Sequence, residues 1–369
     1  MPICKHCGKK VLFSFSLIDG FCSNCFSEQQ KEQQQIEQRQ LESARQYFEQ
    51  IVDLYRSAHV SIKSVSSVSE IKQAKDCCER CIDLLKNIST VPQMDAVLVE
   101  SLSSPSHILS RVHLDGLGRI DLDSENKTIV LDRPYHELQS LVNSYDLILG
   151  NTSEFESFLS SVTRVSVNIT PREPFCRESC QWPILKTRTI TVRTPLSSLN
   201  SFIVLDTETT GLSPTQNEII QVSAVLFIGF SPAKVFSTYV KPRNGLNSAA
   251  AEVNHITAEQ VDCAPYFEEI CDALKDFLGS DTPIVGHNVS FDCNFLFSSG
   301  MDYQHICNRK IFDTMDLAKR EFPYQQSYSL DTLCRHALNI VRTDAHDSVS
   351  DALATGLLFK KICKQRMKF

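Results

Sequence analysis

The segment FIVLDTETTGL, from Phe202 to Leu212, ends an apolar run with two carboxylates, Asp206 and Glu208, one residue apart. In a strand, residues i and i+2 point to the same side, so these acids lie side by side. Like charges that close repel unless a proton or a cation sits between them. Two more acids stand in apolar sequence downstream. Asp292 enters a helical segment whose Phe295 and Leu296 face the core. Asp351 falls in the first turn of a last helix whose buried face is Val349, Ala352, Leu353, Gly356 and Leu357. Each acid alone is explained by a solvated strand end or a helix cap, as Asp347 is by a cap and Asp344 by loop surface. Together they are harder to explain that way, because burying four acids without cations costs several kcal/mol each.

Hard oxygen donors in that number suit Mg²⁺ or Mn²⁺, not zinc. Two such ions, roughly 3.5–4 Å apart, clamp the attacking and leaving oxygens of an in-line displacement at phosphorus. His346, shortly before Asp351, adds an imidazole that can take a proton from an attacking water.

A different set of ligands opens the chain. Cys4-x2-Cys7 and Cys22-x2-Cys25 are separated by fourteen residues. Each pair can sit on a tight knuckle, with Gly8 suiting the first turn, and two knuckles make the closed four-sulfur geometry of one structural Zn²⁺. His6 is a weaker candidate because it lies between two thiolates. The expected zinc module is 1–27.

The elements that must position these groups follow from the pattern of apolar residues. Residues 28–90 read as an antiparallel helical hairpin or a coiled coil, open to a protein partner or to self-association. One heptad stripe runs through Leu41, Ala44, Phe48, Ile51, Tyr55 and Ala58, and a second through Ile71, Ala74, Cys78, Cys81, Leu85 and Ile88. A capping box, Ser67-x2-Glu70, starts the second helix. Cys78-x2-Cys81 imitates a metal knuckle, but both positions fall on the apolar stripe, where cysteine acts as a small hydrophobe. Cys176 and Cys180 have no spacing that recommends them as its partners. Residues 105–195 read as a small β-rich module and linker. RIDLDSENKTIVL forms a hairpin there, and VTRVSVNIT and LKTRTITV further strands. From 201 to 369, strands come first and helices after, which implies an α/β or α+β layer architecture.

The motifs LDTETTGL, GHNVSFDCNFL and HDSVSDALAT resemble the three exonuclease motifs of the DnaQ-like 3′–5′ exonucleases. The class is DEDD, in its histidine variant, marked by H-x4-D from His346 to Asp351. The first motif is similar to the bacterial proofreading type, the DNA polymerase III epsilon subunit or related polymerase-embedded domains. NHIT at Asn254, DTMDLA at Asp313 and SLDTLC at Ser329 also match the family's habits, and the resemblance covers about residues 201 to 365. It implies an α/β ribonuclease H-like fold, with a mixed central sheet flanked by helices, and two Mg²⁺ or Mn²⁺. Asp206, Glu208 and Asp351 would hold the first ion, Asp206 would bridge to the second, Asp292 would complete the site and His346 would be the general base. Thr209, Thr210, Gly211 and Leu212 would hold the terminal nucleotide, with Leu212 against the last base, and Asn288 is a further substrate-binding candidate. The first 25 residues resemble, more faintly, the small zinc ribbons of bacterial proteins.

The expected activity is hydrolysis from the 3′ ends of single-stranded nucleic acid, DNA before RNA, releasing nucleoside 5′-monophosphates. Two alternatives remain: a 3′–5′ exoribonuclease, or an end-binding adaptor whose N-terminal half recruits partners. Proofreading would need a partner carrying the polymerase. At 369 residues, 42% hydrophobic and 22% charged, the chain is long enough for two or three domains. Its net charge of −7 argues against coating nucleic acid by bulk electrostatics. No apolar run is long enough to span a bilayer and no signal-peptide core opens the chain, so a cytoplasmic location and no membrane partner are expected. The basic run Lys360, Lys361, Lys364, Arg366 and Lys368 reads as favourable charge at a helix C-terminus before it reads as a phosphate contact. His255, His287 and His336 have no forced role, although His287 can shape the site without reacting.

Overall fold

The computed structural model describes residues 1–12, 17–59, 65, 67–103, 121–123, 128–130, 132–176, 184–185, 199–246, 248–342 and 346–366. The strand expected in TRTITV, Cys180, Asp344 and Lys368 lie outside them. The chain divides into two compact units, Met1–Ser61 with Ser69–Tyr145, and Ile62–Val68 with Asp146–Phe369. Among the described residues no helix is long and apolar enough to cross a membrane.

The first unit begins with a hairpin of β1 (Leu17–Ile18) and β2 (Phe21–Cys22), turned by Asp19 and Gly20, both at positive φ. Then come α1 (Ser23–Ala58), α2 (Val68–Asn87) and α3 (Met94–Ser103). The expected stripes are the buried ones: Ala44, Phe48, Ile51 and Ala58 face inward on α1, and Ile71, Ala74, Cys78, Cys81 and Leu85 on α2. The helices run antiparallel, with Tyr47 Oη donating to the Leu84 carbonyl at 2.8 Å and the Cys81 thiol reaching the Ile51 carbonyl. Burial pushes the Cys78 thiol up to about 11 and the Cys81 thiol to about 12, as expected of core cysteines. α3 joins through a guanidinium fork from Arg45 to Glu100.

The middle region differs from the reading of its sequence. The expected hairpin is there, β3 (Asp121–Asp123) pairing antiparallel with β4 (Thr128–Val130). Beyond it runs a 30-residue helix, α4 (Asp132–Ser161), where strands and linker were expected. Leu138, Val142, Tyr145, Ile148, Thr152 and Phe155 are its buried positions, at helical steps of three and four. Gly150, Asn151, Thr152 and Ser153 are weak helix formers in mid-helix, and packing overrides that low propensity. VTRVSVNIT contributes β5 (Thr163–Arg164), which extends the main sheet instead of a separate module.

The second unit is built on a six-stranded mixed sheet in the order β10-β9-β6-β7-β8-β5. β6 (Ser201–Thr209), β7 (Ile219–Ile228) and β8 (Ser231–Tyr239) form an antiparallel meander, and β9 (Ile284–Gly286) and β10 (Ile311–Asp313) add parallel to β6. Helices follow: α5 (Ser248–Asn254), α6 (Phe267–Leu278), α7 (Ser290–Ser298), α8 (Thr314–Glu321), α9 (Leu330–Leu333) and α10 (Ser348–Arg366). Strand alternation sorts the core into two layers. Phe202 and Val204 of β6 pack with Leu317, Leu333, Ala352, Leu353 and Phe359 of α8, α9 and α10. Ile203 and Leu205 pack with Ile270, Leu274, Phe295 and Leu296 of α6 and α7. Asp206 and Glu208 continue the even-numbered face toward α10, and Thr207 the odd-numbered face toward α7. Gly356 lets α10 lie on the sheet, since a Cβ there would come within 2.1 Å of the Phe227 ring.

Candidate active site

β6 ends where β9 and the α7 N-terminus also end, so the three acidic motifs meet at one edge of the sheet. Glu208, His346 and Asp351 offer ligand atoms that all lie within 4.8 Å of one another. Glu208 is buried, Asp206 and Asp351 half-buried, and His346 exposed. Asp292 arrives from the opposite layer and is held by Thr207, whose N–H and Oγ1 donate to its Oδ1 at 2.9 and 2.8 Å. The threonine between the two acids of β6 thus ties the second motif to the first. Asp347 is the cap that its position suggests, its carboxylate accepting from Ser350 N–H at 3.0 Å.

Electrostatics marks this cluster as one that wants positive charge. Burial, and then the charges of Asp351, Asp292 and Glu208, raise Asp206 well above the usual carboxylate range. Burial, with the charges of Asp351, Asp292 and Asp347, pushes Glu208 up to about 9. Burial lifts Asp292 to about 7 against the stabilising bonds from Thr207. Asp351 is raised by burial and pulled back by Arg342. An all-oxygen donor set of four crowded carboxylates fits hard divalent cations. Asp206, Glu208, Asp292 and Asp351 are the residues that would hold them.

Thr209–Leu212 leave the strand beside Glu208 and form a closed loop. Thr210 N–H donates to the Glu218 carbonyl at 2.8 Å, and Thr210 Oγ1 accepts from Glu218 N–H at 3.0 Å. Thr209 Oγ1 donates to the Gly211 carbonyl, and Asn254 of α5 binds the Thr209 carbonyl at 3.1 Å. The two hydroxyls are therefore spent within the loop, while Leu212 projects, 86% exposed. A Cβ on Gly211 would meet the Asn217 side chain at 2.7 Å, so loop closure by itself calls for glycine there. Asn288 sits at φ +63 where β9 turns into α7, its N–H donating to Asp313 Oδ1 at 3.1 Å. Asparagine tolerates that conformation better than most residues.

Three further residues stand around the acids, of which the sequence singled out His287 alone. His287 bridges Thr314 Oγ1 and the Tyr328 carbonyl, each at 2.9 Å, and burial pushes it down to about 4. The imidazole is neutral, donating through Nε2 and facing the Thr314 hydroxyl with Nδ1. Arg342 is buried and forks between Asp331 and Asp351. Asp331 lies within SLDTLC, but nothing in the spacing pairs it with an arginine.

Residues 203–359 match the family model RNase_T, described as Exonuclease. Those residues, under half of the chain, are similar to that family, and Asp206, Glu208, Asp292, His346 and Asp351 all lie within them. Similar curated proteins are the PolC-type DNA polymerase III of Oceanobacillus iheyensis, 36% identical over 171 residues, and that of Thermotoga maritima, 33% identical over 175. The matches cover 45% and 46% of this chain and 12% of each relative, so the chain spans about an eighth of their length. Among solved structures, exonuclease X in complex with 5′ overhanging duplex DNA shares 25% identity at a TM-score of 0.36, over 45% of this chain and 93% of that one. E. coli exonuclease I in complex with a dA16 oligonucleotide shares 22% at 0.40, over 46% and 42%.

At the other end of the sequence, the sulfurs of Cys4, Cys7, Cys22 and Cys25 also lie within 4.8 Å of one another. The first pair forms the expected knuckle, with Gly8 at φ +71 returning its N–H to the Cys4 carbonyl at 3.1 Å. The second pair does not form a matching knuckle: Cys22 ends β2 and Cys25 lies in the first turn of α1. Backbone N–H groups of Cys22 and Cys7 pull the Cys4 thiol down to about 6, while the neighbouring sulfurs, Cys22 first, push Cys25 up to about 12. One soft divalent cation would relieve that crowding.

Proposed function

We propose that the exonuclease domain removes nucleoside 5′-monophosphates from the 3′ ends of single-stranded nucleic acid, DNA in preference to RNA. The observation that carries this reading is the convergence of Glu208, Asp351 and His346 within 4.8 Å at the edge where Asp206 and Asp292 also lie. The four carboxylates hold two Mg²⁺ or Mn²⁺. When bound, such ions supply charge against the developing phosphoryl oxyanion and lower the pKa of attacking water. His346, exposed at the mouth of the site, receives the proton and passes it to solvent. Leu212 projects from a rigid loop and packs against the terminal base. The preference for DNA is supported by the names of the curated relatives, which are DNA polymerases.

The N-terminal cysteines bind one structural zinc. Residues 28–90 then recruit a protein partner or a second copy, since Ser27–Arg39 of α1 are exposed on every side. The setting is the cytoplasm. The test uses 5′-labelled single strands of DNA and RNA of one sequence, with Mn²⁺ or Mg²⁺. A ladder shortening from the 3′ end, abolished by Asp206→Ala and by His346→Ala, is the expected result, with DNA consumed faster. No shortening of either strand by folded, metal-loaded protein would overturn the reading.

A further inference from the structure

Arg342 is an arginine with no solvent, its side chain 2% exposed. A guanidinium taken out of water must have its donors met by acceptors of good geometry. Here Nε and Nη2 reach Asp331 Oδ1 at 3.1 and 2.9 Å, and Nη1 reaches Asp351 Oδ1 at 2.7 Å. Being buried and engaged on both sides, the group is not placed to clamp a phosphate. It is placed to hold a carboxylate.

The backbone that carries Arg342 is itself fixed. Ile340 N–H donates to the Cys334 carbonyl at 3.0 Å, and Ile340 and Val341 are buried in the core layer under α10. Val341 N–H donates to Thr152 Oγ1 at 3.2 Å, and Asn151 Nδ2 binds the Leu338 carbonyl at 3.0 Å. The weak helix formers in the middle of α4 therefore hold the strap from Leu338 to Arg342. Asp331, 38% exposed on α9, anchors the far side of the fork. Asp351 rides on α10. Three separate elements thus converge to fix one oxygen of Asp351, and the guanidinium takes Oδ1 alone.

We propose that Arg342 is a positioning residue for metal binding: it locks Asp351 so that the carboxylate presents a single, pre-set oxygen to a divalent ion. This rests on the reading of Asp351 as a metal ligand. Partners that orient a ligating carboxylate set metal affinity, and their loss costs about 10–100-fold.

The test is calorimetric titration of Mn²⁺ into the whole chain without nucleic acid, with Glu208→Gln as the blank for other sites. Arg342→Gln should weaken the Glu208-dependent binding about tenfold or more. Arg342→Lys, which keeps the charge but not the fork, should restore only part of it. Asp331→Asn, a change at a half-exposed position, should weaken binding in the same direction and keeps the test usable if Arg342→Gln fails to fold. Unchanged or tighter binding in folded Arg342→Gln, or full restoration by lysine, overturns the proposal and leaves the nuclease reading standing. Wild-type protein that binds no Mn²⁺ overturns both.

Discussion

Ionising Glu208 in the metal-free protein puts a charge into a buried site already shared with Asp351, Asp292 and Asp347. Its carboxyl is therefore raised from the ordinary 4.5 to about 9. A raised carboxyl binds its proton more tightly folded than unfolded, so its contribution to stability is fully present below about 4.5 and is lost as pH rises toward 9. Metal-free protein should accordingly melt at progressively lower temperature between pH 5 and pH 9, as followed by circular dichroism. Glu208→Gln, which cannot ionise, should flatten that decline, and saturating Mn²⁺ should remove most of it. An equally steep decline in Glu208→Gln would mean that the strain lies elsewhere. Much of this site is legible at the level of single residues. The two-residue step from Asp206 to Glu208 declares a shared strand face, and the H-x4-D spacing brings His346 to Asp351. Arg342 is not legible: in VRTDAH a buried arginine and a solvated one look the same, and only the fold brings Asp331 and Asp351 to its two sides.

At the scale of elements, the site depends on how closely α10 lies against β6 and β7, because Asp351 comes from the helix and Glu208 from the strand. Gly356 sets that approach. A Cβ added there would penetrate the Phe227 ring, which stacks on Phe202 at 5.0 Å and cannot yield without moving β6. Gly356→Ala should therefore destabilise the protein by about 1–3 kcal/mol despite alanine's better helix propensity. It should also weaken Mn²⁺ binding, as α10 carries Asp351 away from Glu208. Denaturant unfolding and metal titration of the one variant check both; a stabilised protein would show that the packing is looser than the contacts indicate. The apolar stripe of α10 is readable from residue spacing alone, whereas the helical state of α4 is not. The Gly-Asn-Thr-Ser stretch of α4 resembles a loop, and the balance is decided by Tyr145, Ile148 and Phe155, which have surfaces to bury.

At the scale of the molecule, the chain carries a cluster of oxygen donors, which suits hard cations, and a cluster of four sulfurs, which suits a soft one. The two should respond to different metals and fail independently. Among the described residues, Val11, Leu17 and Phe21 are the apolar side chains that pack around the cysteines. Three such side chains contribute little against chain entropy, and the proposed zinc would supply further stability. Stripping zinc with a strong chelator should therefore unfold residues 1–27 cooperatively, with all four thiols becoming reactive toward a disulfide reagent. Cys78 and Cys81 should stay unreactive, because they are buried in the helical core. The second unit has its own two-layer core, so Mn²⁺ affinity at Glu208 and Asp351 should survive the treatment within about twofold, as additivity of independent sites requires. Loss of Mn²⁺ binding along with zinc would show that the two sites are not independent. Four thiols equally protected before and after chelation would show that no metal holds the module together.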